Sequence, residues 1–251
     1  MAEKTNDVVL KVAGISKRFG GLQALSDVGI TIQRGQVYGL IGPNGAGKST
    51  FIKAILGLTP VQSGEIACFG QNVHQQKRKI AYIPQRSTID WNFPISVREV
   101  VQLGLFPDLK RFEFFTPKRH KHITDMALAQ LGITELADRQ ISKLSGGQQQ
   151  RMFIARALAQ SMMENGADIF LMDEPFTGID AATEKDLIDI LKLLARQGKC
   201  VLAVHHNLSS VSDIFTDIIF LNRSIIAQGT TADIYTDDYI NRTFIPSFTN
   251  R

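Results

Sequence analysis

Between Gly42 and Ser49 the chain reads Gly42-Pro43-Asn44-Gly45-Ala46-Gly47-Lys48-Ser49, the spacing G-x-x-x-x-G-K-[ST]. Glycines at these positions let backbone N–H groups approach a polyphosphate closely. A helix opening behind them aims its positive end at the same charge. In that setting Lys48 reaches the β- and γ-phosphates, the Ser49 hydroxyl ligates Mg2+, and Thr50 adds a phosphate donor. Further along, the apolar run Ile169-Phe170-Leu171-Met172 ends in Asp173-Glu174. A carboxylate at a strand end beside a phosphate loop can hold Mg2+ through water, which suits Asp173. Glu174, sent to the strand's other side by alternation, can polarise an attacking water. Many strands end in a solvated acid, so this pair gains its weight from the phosphate loop. No acceptor-binding motif accompanies them, which favours hydrolysis over transfer to a second substrate.

A third feature is Leu144-Ser145-Gly146-Gly147-Gln148. A Ser-Gly-Gly turn opening a helix is a second anion site, with a dipole and N–H groups but no lysine. Two such turns lie about a hundred residues apart, and they serve one nucleotide only if different subunits supply them across a two-fold axis. Dimerisation follows as an expectation.

These groups need elements to hold them. Val37 to Ile41 is an apolar run of strand length, and Lys48 to Leu58 has helical apolar spacing, giving the strand, loop and helix that the motif requires. Ahead of them, Val8 to Val12 and Val28 to Ile32 read as strands punctuated by Gly20-Gly21 and Arg34-Gly35. From about Ser96 to Met163 the pattern turns helical. Val97, Val100, Val101 and Leu103 fit one face, Met126, Leu128, Leu131 and Ile133 another, and Met152 to Leu158 a third. The α/β pattern resumes with Ile169 to Met172, a helix over Thr183 to Arg196, and the run Cys200 to Val204. Ile218 to Leu221 and Ile225 to Ala227 predict a closing hairpin through Asn222-Arg223-Ser224, followed by a loose tail past Phe244. Strands alternating with helices argue for a mostly parallel sheet.

Composition sets broad limits. The 251 residues are 44% hydrophobic and 21% charged, an ordinary globular balance, with a formal charge of +4. The densest basic stretch, Lys118-Arg119-His120-Lys121-His122 after Lys110 and Arg111, is expected to be solvated surface, and its His-x-His pair completes no zinc site. Cys68 and Cys200 fit no metal spacing and point to a reduced setting. Met1 to Asp7 is polar with no apolar h-region behind it, and no stretch reaches the roughly 18 apolar residues of a membrane span. Any role at a membrane is therefore expected to be peripheral.

Over residues 8 to 240 or so the chain resembles the ATP-binding subunits of ABC transporters. Gly42 to Thr50 is similar to the family's Walker A, Leu144 to Gln148 to its signature and Ile169 to Glu174 to its Walker B. Gln85 in Tyr82-Ile83-Pro84-Gln85 matches the Q-loop glutamine at the Mg2+ site. His206 matches the switch histidine on the γ-phosphate, Asp180 the D-loop aspartate at the dimer seam, and Phe19 the aromatic that stacks on adenine. His205 receives no role. Asn207 stands where an aspartate is usual, and Thr177-Gly178-Ile179-Asp180 departs from Ser-Ala-Leu-Asp.

The resemblance implies an α/β fold: a P-loop NTPase core with an N-terminal antiparallel β subdomain and an inserted helical lobe, in one domain over 8–243 with a 244–251 tail. It implies an ATPase using ATP and Mg2+, with Glu174, His206 and Gln85 catalytic. Ser49, Gln85 and Asp173 would hold Mg2+, and Ser145, Gly146, Gly147, Gln148 and Asp180 would help bind the nucleotide. It implies a homodimer at the cytoplasmic face of the inner membrane, with permease subunits and an extracytoplasmic solute-binding protein. No nucleic-acid partner is expected. Pro84 to Pro94, including Trp91-Asn92-Phe93, is similar to subunits of manganese, zinc and iron importers. The alternatives are uptake of another solute, such as an iron-siderophore complex or cobalamin, or a soluble ABC ATPase acting on nucleic acid.

Overall fold

The computed structural model describes residues 7–106 and 117–244, so Lys110, Arg111 and the tail past Phe244 lie outside the described residues. The chain opens with two long strands, β1 (Val8–Phe19) and β2 (Leu22–Gln33), joined through Gly20-Gly21 and paired antiparallel. The expected strand at Val8 to Val12 thus runs on to Phe19, bending through several bulges. β4 (Ser63–Cys68) pairs with β1 and the short β5 (Gln71–Asn72) with β4, completing a four-stranded antiparallel sheet, order β2-β1-β4-β5.

The second sheet uses β3 (Val37–Ile41), β6 (Ile80–Ile83), β7 (Ile169–Met172), β8 (Cys200–His205), β9 (Asp217–Asn222) and β10 (Ser224–Thr230). Its order is β10-β9-β3-β8-β7-β6, parallel except for β10, which closes antiparallel on β9. Every residue of β3, β7 and β8 is buried, because both faces of the sheet are covered. Tyr38, Leu40, Ile169, Leu171, Leu202 and Val204 pack toward α1 (Lys48–Ile55) and the antiparallel sheet. Val37, Ile41, Phe170, Met172, Val201 and Ala203 pack the other way, against the helices.

Those helices are α2 (Val97–Leu103), α3 (Lys118–Gln130), α4 (Gly146–Ser161) and α5 (Ala181–Arg196). The first three pack on one another as a lobe. The short α6 (Val211–Ile214) and α7 (Thr231–Ile234), with α8 (Asp237–Phe244), complete the described chain. Two expected lobe faces need correction. Leu103 is 41% and Met126 48% exposed, because the inward stripes are Val97, Val100, Val101 on α2 and Thr124, Ala127, Leu128 on α3. The basic stretch is not all surface either: Lys118, Arg119, Lys121 and His122 are exposed, but His120 begins the buried stripe of α3. α1 ends at Ile55, short of Leu58, where Leu56 and Gly57 turn the chain.

Candidate functional site

Parallel strands present their C-terminal ends along one edge, and there the chain gathers its chemistry. β3 runs into the phosphate loop, β6 into Gln85, β7 into Asp173-Glu174, and β8 into His206. Four segments distant in sequence are brought together by strand order alone.

The phosphate loop is held tightly. Gly47 caps α1 with φ 97 and offers no side-chain cap, so the first N–H groups of the helix remain available to an anion. The hairpin between β9 and β10 braces the loop from outside. Arg223 N donates to Ala46 O at 2.8 Å, and a Cβ on Gly42 would fall 2.0 Å from Leu221 O. Lys48 is buried, and its ammonium donates to Gly42 O at 2.7 Å and Pro43 O at 2.9 Å. Burial lowers its pKa, while Glu174 and Asp173 pull it back up.

Around this loop lies an open cavity of about 260 Å3, lined by Asn44 to Thr50, Lys48 and Ser49 among them, and by Phe19 and Glu174. Phe19 is half-exposed on the cavity wall and not in the core, with the Lys17 ammonium 5.0 Å from its ring centre. Asp173 is buried at the end of β7. Desolvation and the neighbouring Glu174 charge raise its pKa, against Lys53 and Lys48. Glu174 follows with a left-handed backbone at φ 52 and lines the same cavity as the loop. Gln85 Nε2 donates to Glu174 Oε2 at 2.9 Å, Thr177 Oγ1 lies 3.4 Å from the same oxygen, and His206 Nδ1 stands 3.9 Å from it.

The Ser145 turn is elsewhere. Ser145 caps α4 by accepting from Gln148 N at 3.4 Å, and Gln148 Oε1 accepts from Ser145 N at 3.0 Å. The Gln148 side chain is thus engaged in a capping box. Ser145, Gly147 and Gln148 line a second cavity of about 200 Å3 with Arg151 and Thr183, apart from the one around Lys48. Asp180 caps α5 next to it, accepting from Thr183 N at 2.9 Å and Thr183 Oγ1 at 3.1 Å, and these bonds lower its pKa.

Two residues in this region carry contacts that the sequence does not announce. Arg86 joins three of the segments above, and His205 is buried beneath His206 between the Phe176 and Phe215 rings. For Arg86 no sequence signal exists, since its partners are far along the chain. For His205, strand alternation opposite an exposed His206 is the signal.

The sequence profile of the ABC transporter family matches residues 25–177. The chain belongs to the ABC transporter family. Among relatives of this ABC protein, the zinc transport system ATP-binding protein TroB of Treponema pallidum is 45% identical over 220 residues, covering 88% of this chain and 80% of TroB. The manganese transport system ATP-binding protein MntB of Bacillus subtilis is 44% identical over 221 residues, covering 88% and 86%. Among solved structures, an ABC transporter in an inward-facing conformation matches with a TM-score of 0.82 at 26% identity, over 94% of this chain and 88% of that one. A nucleotide-free ATP-binding cassette matches with a TM-score of 0.77 at 24% identity, over 94% of both chains. The P-loop NTPase fold expected for this ABC protein is the fold observed, and the family makes it a nucleotide-binding ATPase coupled to transport.

Proposed function

We propose that this chain is the ATP-hydrolysing subunit of a transition-metal importer, working as one of two copies against membrane permease subunits. The observation that carries the two-copy mechanism is the separation of the cavities. The phosphate loop, Phe19 and Glu174 share one, while Ser145, Gly147 and Gln148 face another. One nucleotide meets both sets when a second copy turns its Ser145 cavity onto it.

ATP then lies with its adenine on Phe19 and its phosphates on the Gly42 to Thr50 loop, the Lys48 ammonium leaving the Gly42 and Pro43 carbonyls for the β- and γ-phosphates. The Ser145 hydroxyl and the Gly146 and Gly147 N–H groups of the partner face the γ-phosphate, and Asp180 stands at the seam. Glu174 accepts the proton of the attacking water, and His206 beside it steadies the γ-phosphate. The donors fit a divalent cation: the buried Asp173 repelled by Glu174 gains from one nearby, and Ser49 and Gln85 add oxygens. Among the described residues no cluster of three His, Cys, Asp or Glu forms a full metal cage, so phosphates and water would complete the set. When bound, Mg2+ neutralises the charge on the β- and γ-phosphates. ATP binding shuts the pair, and hydrolysis reopens it.

Residues 8–243 act as a single ATPase domain with the helical lobe at about 96–163 inserted. The chain sits peripherally on the cytoplasmic face of the membrane, fed by a solute-binding protein on the other side. Among the described residues no helix is long and apolar enough to cross a membrane. The names of the relatives support a metal cargo, zinc for TroB and manganese for MntB, at nearly equal identity. Cargo crosses through the permease and touches no residue of this chain, so the ATPase is not where the metal is chosen.

The test is elemental analysis of cells under metal limitation, comparing a deletion strain carrying the wild-type gene with one carrying Glu174→Gln. Selective loss of manganese, zinc or iron in the mutant establishes import and names the cargo. Unchanged levels of all three overturn the metal assignment and turn the search to a chelated-iron or cobalamin permease.

A further inference from the structure

Immediately after Gln85, Arg86 makes a fan of hydrogen bonds that no catalytic reading uses. Its Nε and Nη2 both donate to Gln149 Oε1, at 3.1 and 2.8 Å, and its Nη1 donates to Gly178 O at 3.0 Å. Gln149 is buried in the first turn of α4, and its Nε2 lies 3.4 Å from Leu144 O, the residue before Ser145. The guanidinium also lies close to two glycines. A Cβ on Gly146 would sit 2.6 Å from Nη1, and one on Gly178, where φ is 72, would sit 3.1 Å from it. On its other side Arg86 is pinned by Trp91 Nε1, which donates to Arg86 O at 3.1 Å, and the Trp91 ring packs edge-on against Phe153 of α4.

We infer that Arg86 is a positioning residue that ties Gln85, the Ser145 turn and the Gly178-to-Asp180 turn of one subunit into a single moving unit. The inference rests on the nucleotide reading above. Gln85 holds Glu174 in its own subunit. The Ser145 turn serves the nucleotide of the partner, and Asp180 stands at the seam. Whatever displaces Gln85 displaces Arg86, one bond along the chain, and with it the buried amide of Gln149 and the carbonyl of Gly178. A change at one nucleotide is thereby passed to the surface that caps the other. Only a guanidinium does this: its planar fork reaches two acceptors in different directions, whereas an ammonium on a flexible stem offers a point charge.

The experiment measures ATPase kinetics of the purified transporter, subunits assembled with their permease, for Arg86→Ala, Arg86→Lys, Gln149→Leu and the Arg86→Ala/Gln149→Leu double variant. Misplacing a capping turn costs about tenfold to a hundredfold in kcat, while KM for ATP stays near wild type because the Lys48 loop is untouched. Arg86→Lys does not rescue, Gln149→Leu reproduces the loss, and the double variant is no slower than either single one. A kcat within twofold of wild type for Arg86→Ala, rescue by lysine, or multiplying losses in the double variant overturns the proposal. If Arg86→Ala fails to assemble, Gln149→Leu, which keeps the arginine, decides through the same kcat and KM split. Lys48→Ala run alongside separates the two claims: wild-type ATP binding in that variant undoes the nucleotide reading, and weakened binding leaves the Arg86 result to stand by itself.

Discussion

Burial of His205 builds a pH dependence whose size follows from its surroundings. The imidazole is 3% exposed, lies between the Phe176 and Phe215 rings, and shares a 3.0 Å hydrogen bond with Ser210 Oγ. Desolvation, helped by the neighbouring His206, lowers its pKa from 6.5 to about 4. The native pKa lies below the unfolded one, so between these values the unfolded chain takes up a proton that the native chain refuses. His205 therefore leaves stability intact above pH 6.5 and subtracts from it as pH falls toward 4. Going from pH 7 to pH 5 costs about 2 kcal/mol from this group alone. His205→Gln keeps a hydrogen-bonding side chain and removes the titration. Urea unfolding of both proteins at the two pH values isolates the effect, because groups common to both cancel in the difference. Relative to the variant, wild type loses about 2 kcal/mol at pH 5. A difference that moves by less than about 0.5 kcal/mol would refute a buried, neutral His205.

Other outcomes follow from the same geometry. Glu174→Gln keeps an oxygen for Gln85 Nε2 but not the base, so phosphate release falls about 100- to 10,000-fold while an ATP-bound dimer accumulates on gel filtration; wild-type turnover would sink the assignment. Lys48→Ala, which deletes the ammonium over the loop, weakens ATP binding about tenfold to a hundredfold by fluorescence titration, and unaltered affinity would count against the phosphate loop. At Gly47, φ is 97 and an added Cβ would fall 2.4 Å from Ala24 O. Gly47→Ala should therefore lower the melting temperature and ATP affinity together, with about 1–3 kcal/mol of strain, and a wild-type melting curve would contradict this.

The parts of this site that the sequence makes legible are those whose meaning is local. A strand, a glycine loop and a helix within a few residues of one another announce Lys48 and Ser49, and S-x-x-Q announces the cap on α4. His120 is legible too: with Thr124, Ala127 and Leu128 it repeats at helical spacing, although the charges around it favour the surface, just as the apolar side chain of Met126 favours the interior. β4, β5 and β6 give little periodic signal, since they are only six, two and four residues long, and pairing partners far along the chain shape them. The Arg86 contacts belong to the same class, joining residues 63 and 92 positions away. Glu174 adds a feature the sequence does not announce, a left-handed backbone at φ 52 just past the end of β7.

The bond from Arg223 N to Ala46 O has a consequence for how the molecule comes into being. The phosphate loop is synthesised well before the hairpin tip that braces it, because Arg223 follows Ala46 far along the chain. A nascent chain lacking β9 and β10 holds the whole Walker-type sequence with its outer wall missing, where Leu221 O and the Arg223 amide belong. The geometry of the loop then depends on a long-range contact that forms only once the hairpin is in place.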